Sequence, residues 1–269
     1  MPLASVNGVK IYYETHGEGE ALMLISGTGA SCDGWRKYQV PAFAKHHKVV
    51  IFDHRGVGKS DKPDETYSTR GFAADAVGLM EFLGIVRCSF IGHSMGGRNA
   101  YVFASRHQTG IRGLVIVDTG PKTDQRGSNR IRQFRELPDQ LSTYHEFAER
   151  IHGYTGRPIQ HILGALKYTI RQTASGNWTW KYDSALRDPN YQPSTWPESK
   201  LWDAISKISV PTLIVRGEKS DIFGVETLDQ ILESITGSTS ATIPNAGHLV
   251  PGDNPAAFIE AITDFLDNI

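Results

Sequence analysis

Hydrophobic positions along the chain gather into short runs separated by helical repeats. Leu22 to Ile25, Val49 to Phe52, Ser89 to Gly92, Leu114 to Val117 and Thr212 to Val215 are largely apolar and rich in β-branched residues, which predicts strands buried on both faces. Ala4 to Tyr13 alternates loosely about Asn7-Gly8, a dipeptide that accepts the positive φ angles of a type I′ turn, and predicts an opening hairpin. Between the runs, Thr69 to Leu83 sets Phe72, Ala76, Leu79, Met80 and Leu83 on one helical face, and Arg98 to Ser105 reads as a second helix. Strand and helix therefore alternate. That order predicts an α/β fold: a mostly parallel, twisted sheet of the eight-stranded type, covered by helices on both faces, with ligands at the carboxyl ends of the strands.

The alternation stops at Pro121 and resumes near Val210. Ile131 to Leu137, Tyr144 to Ile151 and Ile159 to Ile170 read as helices joined by loops, so residues 121–202 are expected to form an inserted helical cap on a core made of 1–120 and 203–269. Four of the five tryptophans, Trp178, Trp180, Trp196 and Trp202, fall in this segment. Their area must bury in the cap's own small core or roof a cleft, and Trp178, Trp180 and Tyr182 are the candidate wall of a pocket for an aromatic or apolar group.

Composition narrows the partners. A chain of 269 residues suits one large domain with an insertion, and 28 basic against 29 acidic side chains leave no polyelectrolyte character with which to grip nucleic acid. No apolar run approaches the ~20 residues that span a bilayer, and Met1-Pro2-Leu3-Ala4-Ser5 has neither a basic nor an apolar leader segment, so neither export nor a membrane anchor is expected. Cys32 and Cys88 are too few for a disulfide framework and lack CxxC spacing, which points to packing thiols in a reducing cytoplasm and to no metal site. A small-molecule substrate is the expected partner. The sequence carries no signal for oligomeric state.

The most informative stretch is Ser89-Phe90-Ile91-Gly92-His93-Ser94-Met95-Gly96-Gly97, a G-x-S-x-G that follows an apolar strand and precedes a helix-compatible run. A serine on so sharp a strand-to-helix turn has strained backbone angles, and Cβ atoms on the flanking glycines would collide. The turn exposes Oγ at a helix N-terminus, where the dipole and free N–H groups favour a developing oxyanion. A serine hydroxyl needs a base, and the base needs a carboxylate to fix its tautomer. His248, in the loop Asn245-Ala246-Gly247-His248-Leu249-Val250-Pro251 between the last expected strand, Ala241 to Ile243, and a helix begun by Asn254-Pro255, is the candidate base. Asp221, just beyond the strand Thr212 to Val215, is the preferred carboxylate, giving the chain order Ser, Asp, His. Asp118 is its rival, because it also ends a strand. His93 projects in a different direction from its neighbour on the turn and is assigned to packing.

These pieces together resemble the α/β-hydrolase fold family over nearly everything outside the cap. Leu24-Ile25-Ser26-Gly27-Thr28 is similar to the family's oxyanion-loop segment, with Ser26-Gly27 where many members carry His-Gly, and Asp53-His54-Arg55-Gly56-Val57-Gly58-Lys59-Ser60 resembles its D-x-R-G-x-G-x-S turn. The resemblance implies an oxyanion hole made by the backbone N–H groups of Thr28 and Met95. It implies no metal and no organic cofactor. Serine at the elbow separates the chain from the family's haloalkane dehalogenases and epoxide hydrolases, which attack with a carboxylate.

Two motifs imitate nucleotide sites. Gly58-Lys59-Ser60 ends like a P-loop, yet Asp53 stands where the first glycine is required and Pro63 obstructs the helix. Gly27-Thr28-Gly29 begins like a dinucleotide fingerprint, yet Cys32 holds the place of the third glycine. The basic stretch Lys122 to Arg135 reads as a solvated cap face. The expected activity is hydrolysis of a small carboxylic ester or lactone through an acyl-enzyme on Ser94. The same side chains could cleave an amide, a carbamate or a carbon–carbon bond, and a non-catalytic ligand-binding protein is the alternative of a different class.

Overall fold

The computed structural model describes residues 2–64, 67–187 and 196–269. The chain opens with the hairpin β1 (Leu3–Val6) and β2 (Val9–His16), whose turn holds Asn7 at φ 47° and Gly8 at φ 80°. There follow β3 (Glu20–Ile25), the short α1 (Gln39–Phe43), β4 (His47–Phe52), α2 (Thr69–Phe82), β5 (Cys88–His93), α3 (Met95–Ala104) and β6 (Ile111–Val117). The inserted segment carries α4 (Gln125–Glu136), β7 (Gln140–Leu141), α5 (Tyr144–Thr155), α6 (Ile159–Leu166), β8 (Ile170–Gln172) and β9 (Trp178–Trp180). The chain closes with α7 (Glu198–Ile205), β10 (Thr212–Gly217), α8 (Val225–Ser234), β11 (Thr239–Ile243), α9 (Val250–Asp253) and α10 (Pro255–Asp267).

Eight of these strands form one sheet in the order β1-β2-β4-β3-β5-β6-β10-β11, antiparallel at the opening hairpin and parallel from β4 to β11. Side chains on a strand point alternately to the two faces, and the core divides accordingly. Met23 and Ile25 pack with α2, α3, α7 and α8, whereas Leu22 and Leu24 pack with α1 and α10. Both sets are shut off from water, and each such side chain contributes about 1.5–3 kcal/mol. The buried face of α2 is the one the spacing predicts, with Phe72, Ala76 and Leu79 inward, and Ser68 caps it by accepting from Gly71 N. From β3 the chain goes to β4 on one side and then to β5 on the other. A crevice therefore opens between the carboxyl ends of β3 and β5, where ligands bind in sheets of this kind.

The insertion departs from an all-helical body. β7, β9 and β8 form an antiparallel three-stranded sheet, because Trp178-Thr179-Trp180 alternates with a period of two and turns Trp180 inward. Ile170 begins a strand instead of ending a helix, and α4 begins at Gln125, ahead of the expected Ile131. Phe147, Ala148, Ile162, Leu166, Ile170 and Trp180 make a small core of their own. Arg187 ties this body together, donating through Nη2 to the carbonyls of Phe134, Arg135 and Leu137. The border expected at 202 runs through α7, whose Leu201, Ala204 and Ile205 join the main core beside α3, as do Trp196 and Trp202. Their tryptophan area thus belongs to the sheet domain. Among the described residues no helix is long and apolar enough to cross a membrane.

Candidate active site

Ser94 sits between β5 and α3 at φ 55°, ψ −119°, a backbone conformation disfavoured for residues with a side chain. Packing enforces it. A Cβ on Gly92 would lie 2.5 Å from Gly96 O, and one on Gly96 would lie 2.3 Å from Ile25 O, so both glycines are required for β5, α3 and β3 to approach so closely. Ser94 N donates to Val117 O, which anchors the elbow to the neighbouring strand.

His248 reaches the serine from the loop between β11 and α9. Its Nε2 lies 3.0 Å from Ser94 Oγ, and its Nδ1 lies 2.8 Å from Asp118 Oδ2. With Nδ1–H donating to the carboxylate, Nε2 is left to accept the serine proton. Asp118 is wholly buried immediately after β6, at φ 51°, a left-handed conformation that aspartate tolerates better than most residues. Its Oδ1 accepts from Gly217 N at 2.8 Å, and its Oδ2 also accepts from Ser220 Oγ at 2.7 Å. A buried carboxylate with three donors is compensated for its lost hydration.

The expected partner of the histidine was Asp221, and here the structure corrects the sequence. The turn after β10 folds back with Ser220 N donating to Gly217 O, which carries the Ser220 side chain inward and Asp221 outward. The Ser220 hydroxyl oxygen also lies in reach of Ile222 N and Phe223 N at 3.3 and 3.1 Å, leaving its proton for Asp118. Asp221 instead accepts from Arg130 Nη2 of α4 at 2.7 Å, so it fastens the cap. Arg130 is thereby withdrawn from the solvated face to which the basic stretch was assigned.

The loop after β3 closes on the serine from the other side. A Cβ on Gly27 would stand 3.2 Å from Ser94 Cβ, so the backbone just ahead of Thr28 passes beside Ser94, and Met95 is the first residue of α3. Ser26 knits the loop: its Oγ accepts from Trp35 Nε1 at 2.9 Å, and its carbonyl accepts from His54 Nε2 at 3.1 Å. Asp53 accepts from Cys32 N and Lys59 N while Ser60 Oγ donates to Asp53 O, so the P-loop imitation is a knotted turn behind this loop. His93 is buried and its pKa is pushed down to about 3, by burial first and then by His248. The neutral ring donates from Nε2 to the His248 carbonyl at 2.7 Å, a role beyond the packing assigned to it.

Of the three aromatic candidates, Tyr182 comes nearest the site. Its ring lies over Gly29, where a Cβ would approach to 2.7 Å, and it also packs with the cluster that contains Met95. Trp180 stacks behind Tyr182 at 5.4 Å, and Trp178 meets Tyr144 edge-on within the cap. Ser220, Trp35 and the positioning use of His93 are not marked by any motif. Ser220 could have been suspected only as the inward neighbour of a misassigned acid.

A sequence profile described as the α/β-hydrolase fold matches residues 20–255. The soluble epoxide hydrolase of Corynebacterium sp. is 34% identical, over 97% of this chain and 95% of its own length. The 2-hydroxy-6-oxo-6-(2'-aminophenyl)hexa-2,4-dienoic acid hydrolase of Metapseudomonas resinovorans is 27% identical, over 97% of this chain and 89% of its own. Among solved structures, E-2-(acetamidomethylene)succinate hydrolase superposes with a TM-score of 0.88 at 20% identity, covering 99% of this chain and 98% of that one. The chain belongs to the α/β-hydrolase family, and it is an enzyme of that fold with named hydrolases as its relatives.

Proposed function

We propose that the protein hydrolyses a small carboxylic ester or lactone through a covalent acyl-enzyme on Ser94. The observation that carries this reading is the continuous relay from Ser94 Oγ through His248 to Asp118, with both links at 3.0 Å or less. Ser94 Oγ attacks the carbonyl carbon while His248 Nε2 takes its proton; the imidazolium then protonates the leaving alkoxide as the acyl–oxygen bond breaks. Asp118 holds the tautomer and stabilises the charged ring. The N–H groups of Thr28 and Met95 receive the oxyanion, at roughly 3–4 kcal/mol per donor in sites of this type. Water, deprotonated by the same histidine, releases the acid. Tyr182 is the pocket residue of this reading, with Trp180 and Trp178 as its backing, and the substrate is a small molecule with an apolar or aromatic part.

Serine at the elbow favours acyl chemistry over the epoxide opening named for the Corynebacterium relative. Carbon–carbon hydrolysis, the activity in the name of the Metapseudomonas relative, is the second reading because the same relay could run it. Cys32 and Cys88 are buried in cores on opposite faces of the sheet, with burial raising both thiol pKa values, which fits a reducing compartment such as the cytoplasm. Fluorophosphonate labelling and p-nitrophenyl acetate turnover by the wild-type protein, both abolished in Ser94→Ala, are the expected result. A wild-type protein that is neither labelled nor active would overturn the reading in favour of a ligand-binding role. Competition of labelling by esters, lactones, anilides, carbamates and a vinylogous diketone then ranks the leaving groups.

A further inference from the structure

Of the three relay residues, His248 alone is carried by a loop between β11 and α9. Three backbone groups around it are tied: Gly247 N donates to Asp253 Oδ2 at 3.0 Å, His248 O accepts from His93, and Leu249 O accepts from Arg157 Nη2 at 3.2 Å. Arg157 also places Nε and Nη2 on Asp253 Oδ1, at 2.9 and 2.8 Å. One guanidinium therefore reaches both flanks of the histidine, directly at Leu249 O, which Gly252 N and Asp253 N also hold, and through the carboxylate at Gly247 N.

That guanidinium comes from the cap. Arg157 follows α5, which ends at Gly156 with φ 70°, and its own backbone is held by His152 Nδ1 on its carbonyl and by Thr155 Oγ1 on its N–H. The side chain crosses to the sheet domain over Gly252, where a Cβ would meet Nη2 at 2.6 Å. The absence of a side chain at Gly252 makes the passage. Arg130 and Asp221 form a second bond between cap and core, but among the described residues the Asp221 side chain bonds to Arg130 and to no member of the relay.

We propose that Arg157 is a positioning residue for His248, so that seating of the cap sets the catalytic base. This rests on the relay reading above. Misplacement of a reacting group by about 1 Å costs about 100-fold in rate, so a loosened loop should appear in kcat and leave KM nearly unchanged.

The test uses the whole protein with p-nitrophenyl acetate. Arg157→Ala should lower kcat at least ~10-fold with KM within ~3-fold, and slow fluorophosphonate labelling of Ser94 in proportion, since both reactions need the same base. Tens of millimolar guanidinium chloride should restore part of kcat in this variant and none in the wild type, against sodium chloride at equal ionic strength. Gly252→Ala keeps the arginine and crowds its Nη2, so it should give a smaller kcat loss of the same kind, and Arg157→Lys, which keeps the charge but cannot span Leu249 O and Asp253 together, decides the matter if Arg157→Ala does not fold. Wild-type kcat in folded Arg157→Ala or Arg157→Lys, or a loss confined to KM with no guanidinium rescue, would overturn the proposal. An inactive, unlabelled wild-type protein would instead remove the relay reading on which it rests.

Discussion

The carboxylate of Asp118 stands 2.8 Å from the imidazole of His248, although 130 residues separate them in sequence. The carboxylate that meets His248 thus comes from the end of the strand next to that of Ser94, and Gly217, at the end of β10, and Ser220, in the loop that Asp221 also occupies, donate to it. Asp118→Asn removes the charge and reverses the hydrogen-bond sense at His248 Nδ1, leaving the wrong tautomer facing Ser94. A fall in kcat of about 10³–10⁴-fold with unchanged fold is expected. Asp221→Asn should stay within about threefold of the wild type and loosen the cap. The opposite ranking of the two variants in p-nitrophenyl acetate turnover would return the role to Asp221.

Ser220 is expected to matter through Asp118 alone. Its hydroxyl is one of two protein donors, besides the histidine, to this wholly buried carboxylate. Ser220→Ala leaves Gly217 N in place and removes the other donor, so kcat should drop about tenfold and KM should hold, in line with about 1.5 kcal/mol for a hydrogen bond to a charged group. Steady-state kinetics on one good ester decides it. An effect on KM alone would mean that Ser220 touches substrate.

The sheet, its helices, the elbow and the histidine were legible because each has a local signature. Apolar runs, a spacing of three to four, and Gly92 and Gly96 about a serine all state their conformation within a few residues. That Asp118 and not Asp221 meets His248 is not legible, for a physical reason. Asp118 and Asp221 both follow strands of the parallel sheet, and what separates them is the direction in which the chain turns after Gly217, set by the bond of Ser220 N to Gly217 O together with long-range bonds of Glu218 N to Ile243 O and Lys219 N to Ala246 O. The cap is the least legible part of the chain. Its strands are two or three residues long, too short for a period to declare itself, and α7 is assigned to the core only by its packing on α3.

Tyr182 should separate binding from chemistry. Its ring covers Gly29 in the oxyanion loop, and burial pushes its hydroxyl up to about 12, so it stays a neutral apolar wall throughout the working pH range. Tyr182→Ala should raise KM for aryl-acyl esters about 10-fold or more, consistent with about 1–3 kcal/mol of lost apolar contact, and leave acetyl esters within about threefold. Equal losses on both ester types would show a role in shaping the oxyanion loop rather than in choosing substrate.

Acid should destabilise the protein through its buried neutral histidines. Burial lowers His93 to about 3 and His54 to about 4, from an ordinary value of 6.5. In the unfolded chain both take up a proton below about pH 6.5, whereas in the folded protein they do not. The unfolded state therefore binds more protons between those values: the stability contributed by keeping the rings neutral is complete above pH 6.5 and is lost as pH falls toward 4 and then 3. Each ring adds a slope of about 1.4 kcal/mol per pH unit well inside that window. His93→Gln keeps an N–H directed at the His248 carbonyl and removes the titration. Urea unfolding at several pH values between 6 and 4.5 should then show a slope shallower than that of the wild type by about one proton, with ester turnover at pH 7.5 largely retained. An unchanged slope would mean that His93 already carries its proton in the folded protein, and that its bond to the histidine loop is not the neutral one described.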